Sequence, residues 1–85
     1  MDDKDLRALH LHSSNHKKEI LASKVCGCFS CRKIFKPKNV IIWLKDGEGT
    51  ALCPFCGVDA VIGDASGYPI NNDVLEKMYK KYFLN

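Results

Sequence analysis

No apolar run in this sequence is longer than the five residues Val40-Ile41-Ile42-Trp43-Leu44. That is far short of the roughly 20 residues a helix needs to cross a bilayer, so no membrane role is expected. The opening Met1-Asp2-Asp3-Lys4-Asp5 lacks the apolar stretch of a secretory signal, which points to the cytoplasm. Glycine-rich phosphate loops are missing too: Gly47 and Gly49 are not followed by Gly-Lys-Ser/Thr. All three histidines, His10, His12 and His16, precede residue 17. A His-Asn-His nuclease needs a histidine near or after a second cysteine pair, and a zinc deaminase needs His-x-Glu before Pro-Cys-x-x-Cys; neither pattern occurs. What is present is a chain of 85 residues, 46% hydrophobic and 27% charged, greasy enough to fold as one small domain. A core of that size is marginal without a disulfide or a metal.

Charge of one sign is also locally missing. Residues 46–76 contain no Lys or Arg and carry Asp46, Glu48, Asp59, Asp64, Asp73 and Glu76. Residues 17–45 show the reverse, with Lys17, Lys18, Lys24, Arg32, Lys33, Lys36, Lys38 and Lys45 against Glu19 alone. This basic segment is a candidate nucleic-acid surface. The overall charge of +3, lowered to about +1 by one Zn²⁺ on four thiolates, instead favours a solvated polar face.

Five cysteines supply the missing staple. Cys28-Phe29-Ser30-Cys31 and Cys53-Pro54-Phe55-Cys56 are two C-x2-C pairs. Two intervening residues let a tight turn aim both sulfurs at one point, and a long excursion lets a second such turn face the first. Cys28, Cys31, Cys53 and Cys56 are therefore the expected ligands of one structural Zn²⁺, closing a tetrahedron without an open position for catalysis. Gly57 after Cys56 suits a turn that points backbone N–H groups at sulfur. Cys26 could replace Cys28 only at x4 spacing to Cys31, so it is expected to pack as a small buried hydrophobe. Thioredoxin-like exchange fits poorly, because there are two pairs and no βαβ pattern. Ferredoxin spacing does not match either.

Around these turns the pattern predicts a polar, flexible N-terminal arm over 1–12, a frayed helix or a loose segment weakly periodic at Leu6, Leu9 and Leu11, and a single zinc-binding domain over 13–85. Ser13-Ser14-Asn15 precedes good helix formers, which predicts a helix over 15–23. Residues 37–45 are read as a helix, from Pro37 in a first turn and Val40, Trp43 and Leu44 at helical spacing, although Val40-Ile41-Ile42 also suits a strand. Asp46–Gly49 is a turn, 50–52 a short strand, and 57–62 a strand or one helical turn. The clearest element is an amphipathic helix over 73–83, capped by Asp73 with Glu76 three residues on. Asp59 and Asp64 read as solvated loop carboxylates, His10 and His12 as exposed, His16 as packing or capping at its helix start, and Phe29 and Trp43 as covers for the metal site or the core.

The pairs, with Cys53-Pro54-Phe55-Cys56-Gly57 at the second, resemble the zinc knuckles of zinc-ribbon and treble-clef proteins. Cys26–Cys31, Ile42-Trp43 and Thr50–Gly57 are also similar to segments of a group of small bacterial cytoplasmic proteins of unassigned function. The resemblance implies a stand-alone zinc domain and carries no reaction. The expectation is a small α+β zinc-binding domain with flanking helices, non-catalytic, presenting a surface to a protein partner; binding of nucleic acid through 17–45 is the alternative.

Overall fold

The structure, a computed structural model, describes residues 1–84. Asn85, the last residue of the expected 13–85 domain, lies outside the described residues. Three helices surround two small antiparallel sheets.

The N-terminal segment is where expectation and structure part first. Within residues 1–12, expected as a flexible arm that is either a frayed helix or loose, Asp3–His10 forms a docked helix, α1. Asp2 and Asp5 exchange side-chain-to-backbone hydrogen bonds in a capping box, with acids in the first turn and Arg7 and His10 in the last. Leu6 and Leu9 are buried in the common core, and α1 lies against the C-terminal helix. Two leucines one turn apart are enough to dock a short helix when a complementary surface exists. The weak periodicity of the segment could not reveal that surface.

Helix α2 (Lys17–Ala22) lies within the expected 15–23 and buries Ile20. Its cap comes from far along the chain. His16 at the N-cap makes no side-chain capping bond, and the Glu48 carboxylate accepts the Lys18 N–H at 3.1 Å. Asn15 takes a left-handed φ of +48°, and its Oδ1 accepts the Glu48 N–H at 2.7 Å. This locks the Asp46–Gly49 turn onto the start of α2. A Cβ at Gly47 would fall 2.3 Å from Asn15 Oδ1, so only glycine fits there.

Strand β1 (Cys26–Cys28) is central in a three-stranded sheet, between β2 (Ile34–Phe35) and β5 (Val61–Gly63), all antiparallel. Pairing of Cys28 with Val61 brings the chain after the second cysteine pair beside the first pair. A side chain at Gly27 would meet Leu75 and Ile70 on one face, while one at Gly63 would meet Ser23 and Ile20 on the other. The sheet is thus enclosed on both faces, α2 on one and the C-terminal helix on the other.

Residues 37–45 are not a helix. Pro37–Asn39 makes a single 3₁₀ turn, Val40 is extended, and β3 (Trp43–Leu44) pairs with β4 (Thr50–Ala51). The β-branched run prevailed over the helical spacing of Val40, Trp43 and Leu44. Of that run Val40 alone reaches the core, while Ile41 and Ile42 stay exposed. The expected strand at 50–52 overlaps β4, and of the ambiguous 57–62 stretch only the last two residues enter a strand, β5, with 57–60 irregular.

Helix α3 (Asn72–Tyr82) replaces the expected 73–83. Asn71, not Asp73, is the cap: its side chain accepts the Val74 N–H at 2.9 Å. Asp73 sits in the first turn and pairs with Lys77 at 3.0 Å. Val74, Leu75 and Met78 are buried, with Tyr82 packed at the core's border and Phe83 exposed beyond them.

Candidate metal centre

Each cysteine pair is a backbone turn of the same build. At the first, Cys28 N–H donates to the Lys33 carbonyl (3.0 Å) and Arg32 N–H to the Cys28 carbonyl (2.7 Å). At the second, Cys53 N–H donates to the Val58 carbonyl (3.0 Å) and Gly57 N–H to the Cys53 carbonyl (2.9 Å). Ser30 N–H points at Cys28 Sγ and Phe55 N–H at Cys53 Sγ, both at 3.4 Å. Both turns exit through a left-handed residue, Arg32 at φ +64° and Gly57 at φ +79°.

The first turn is the tip of the β1–β2 hairpin. The second links β4 to β5, and Phe29 N–H donating to the Ala60 carbonyl at 3.0 Å fastens the two together. As a result the Sγ atoms of Cys28, Cys31, Cys53 and Cys56 all lie within 4.8 Å of one another. Across the two turns, Cys28 and Cys56 sulfurs are 3.7 Å apart and Cys31 and Cys53 sulfurs 3.6 Å. A tetrahedron with metal–sulfur bonds of about 2.3 Å has edges of about 3.8 Å, so the spacing suits a four-coordinate ion. It is far too wide for a disulfide bond of about 2.05 Å, and all five cysteines are free thiols. The four cysteines are arranged to hold a metal ion.

Burial pushes the Cys28 and Cys31 thiols above the ordinary thiol range. Burial acts the same way at Cys56, but there the Val58 N–H and the Cys28, Cys53 and Cys31 thiols outweigh it and lower that pKa. A divalent ion held among them would supply the charge that makes thiolates of the raised pair. Cys26 stands apart. It is fully buried and lies outside the four-sulfur group. Burial first, then the Asp64 carboxylate, pushes its thiol up to about 12. It packs as a small hydrophobe, as its spacing implied.

Other candidate residues fall elsewhere. His10 stacks on Tyr82 with centroids 4.0 Å apart, and His12 pairs with Glu19 at 2.9 Å. His16 is buried, with Nδ1 donating to the His12 carbonyl (2.6 Å) and Nε2 accepting the Ala51 N–H (3.0 Å). Burial holds its pKa below the ordinary range, so it is a neutral structural link. Asp59 is exposed, as read. Asp64, read as solvated, instead accepts the Lys24 and Val25 N–H groups where the chain enters β1. Phe29 is buried among His10, Tyr82 and Phe83. Trp43 packs half-buried against the core, with the Lys17 ammonium 5.3 Å from its ring.

Sequence reasoning missed Arg32. Its guanidinium lies 3.8 Å over the Tyr79 ring, Nε pairs with Glu76 at 3.4 Å, and its buried Nη1 has no partner among the described residues. The signal was legible by aligning the turns, since Arg32 follows Cys31 as Gly57 follows Cys56. No helix among the described residues is long and apolar enough to cross a membrane. Comparison with family models, with curated proteins and with solved structures gives no match to this chain.

Proposed function

We propose that this chain is a non-catalytic zinc module: one Zn²⁺ on Cys28, Cys31, Cys53 and Cys56 completes the fold, and the folded surface binds a protein partner. The observation that carries the metal reading is the convergence of four sulfurs from two equivalent turns at tetrahedral spacing. Zinc is favoured over other ions because a closed four-thiolate tetrahedron is its usual structural site. Four thiolates leave no vertex for water or substrate, which argues for structure rather than catalysis. The paired turns support a zinc-ribbon or treble-clef-like core. Five unpaired thiols fit a reducing cytoplasm, as in the bacterial group that the motifs resemble.

A protein partner is favoured over nucleic acid because three of the eight cations of the basic segment are engaged with aromatic rings or a carboxylate. Lys17 lies over Trp43, Arg32 over Tyr79 and beside Glu76, and Lys33 over Phe55. Metal supplies roughly 10–16 kcal/mol in comparable small sites, more than a core of this size provides. Purified protein should therefore contain one zinc per chain by elemental analysis and lose its cooperative thermal transition on chelation. A chain verified free of metal that still melts cooperatively overturns the zinc-module reading. A steep loss of oligonucleotide binding with salt, on a log–log line, would install the nucleic-acid reading in place of the protein one.

A further inference from the structure

The ribbon formed by β3 and β4 has an open side. β3 has β4 as its only neighbour among the described residues. Leu52 N–H donates to the Ile42 carbonyl at 3.1 Å, so Ile42 faces β4. Backbone alternation then turns the N–H and C=O groups of Ile41 and Trp43 to the outer edge. Side chains along this edge are apolar and bare: Ile41 is 82% exposed and Ile42 63%. With Leu52 and Pro54 they line a groove of about 260 Å³ that continues onto Cys53 and Gly57 of the second cysteine turn. An open strand edge beside an apolar groove is the arrangement that captures extended peptides, main chain for affinity and alternate side chains for specificity.

Charge selects the occupant. Residues 36–45 contain three cations and no carboxylate. Lys36 and Lys38 precede the edge and Lys45 follows it; all three are exposed and make no ion pair among the described residues. Lysines at an edge repel a second copy of the same edge. The groove lining of Ile41, Ile42, Leu52 and Pro54 offers no aromatic ring on which a nucleobase could stack. Resting on the protein-interaction reading above, we infer that the β3 edge receives an extended acidic segment of a partner protein. The segment adds as a third strand, with alternate apolar side chains entering the groove and flanking carboxylates meeting Lys38 and Lys45.

The test is selection of a randomised library of peptides about twelve residues long on the zinc-loaded full chain, beside Ile42→Asp and the double variant Lys38→Glu/Lys45→Glu. Enriched peptides should alternate apolar residues and carry Asp or Glu. One of them, synthesised, should bind about tenfold or more weakly to each variant and lose affinity as salt rises. N-methylation of its alternate amides should abolish binding, and the Ile41 and Trp43 amide resonances should shift on titration. If Ile42→Asp fails to retain zinc, the double variant, altered only at exposed positions, decides the matter. No enrichment, enrichment of basic or uncharged peptides, or binding indifferent to the variants overturns the inference. So does self-association through this edge in sedimentation, or an oligonucleotide that competes with the peptide for it. Peptides that bind indifferently to both variants sink the edge and leave the interaction reading standing. Retained folding without metal sinks the zinc module itself, whatever the library yields.

Discussion

Cys28–Lys33 and Cys53–Val58 follow one backbone course, each closed by the same pair of hydrogen bonds and each leaving through a left-handed residue. Around that shared course the surroundings diverge. Phe29, inside the first turn, is 2% exposed, and Phe55, inside the second, is 57% exposed. Cys31 is half-buried where its counterpart Cys56 is exposed. The first turn caps the central strand of the sheet, with Tyr82 and Phe83 against Phe29; the second hangs between two strands, touched by Phe35 and Lys33 at Phe55. Four residues thus fix how a knuckle bends, while distant partners fix how deeply it sits. In this molecule Phe29 of one knuckle joins the core, while Phe55 and Cys56 of the other stay exposed.

The comparison is sharpened most by removing single ligands. Cys28→Ser strips a buried vertex and should abolish the cooperative melt. Cys56→Ser strips an exposed one, where water can complete the tetrahedron, and should leave a weakened but tetrahedral site. Spectra of the cobalt-substituted proteins distinguish these outcomes, and equal loss in both variants would erase the asymmetry. The paired phenylalanines come next. Phe29→Ala should cost about 3–5 kcal/mol in denaturant titrations, against about 0.5 kcal/mol or less for Phe55→Ala.

A smaller effect is expected at the left-handed exits. Nothing lies within 4 Å of a Cβ built on Gly57, so Gly57→Ala isolates the backbone term, about 1–2 kcal/mol. Arg32 bears that same cost and offsets it through Tyr79 and Glu76, so Arg32→Gly should change the melting midpoint less than Gly57→Ala does. The smallest effect is the pH response of His16, whose Nε2 holds the Ala51 N–H two residues before Cys53. Burial lowers its pKa in the folded chain, so the unfolded chain binds the proton more readily. Its stabilising contribution is full above about pH 6.5 and declines as acid is added below that. Zinc-loaded His16→Gln should show a flatter slope of melting midpoint against pH in that window.

Much of the site was legible because it is local. The C-x2-C spacing dictates the turn, Gly57 announces the left-handed exit, and both together bring sulfur and N–H groups into place within a few residues. The same reading passed over Arg32, since arginine carries no mark of a positive φ. It misjudged residues 37–45 because helical spacing and β-branching conflict there, and pairing with Thr50-Ala51 decided between them. It mistook Asp73 for the α3 cap two positions too late, in an Asn71-Asn72-Asp73 run where each residue can cap.

By itself the sequence determined the four candidate ligands, the turns that carry them and the C-terminal amphipathic helix, because each follows from residue types within a turn or two. Tertiary structure alone decided that residues 3–10 dock as a helix, that Glu48 caps α2 from the far side of a turn, that His16 is a buried link, and that Phe29 in one knuckle is sunk while Phe55 in its twin is bare. The reason is the range of the forces. Turn geometry and capping act over a few bonds, whereas burial depends on which surfaces meet after the chain has folded back across dozens of residues.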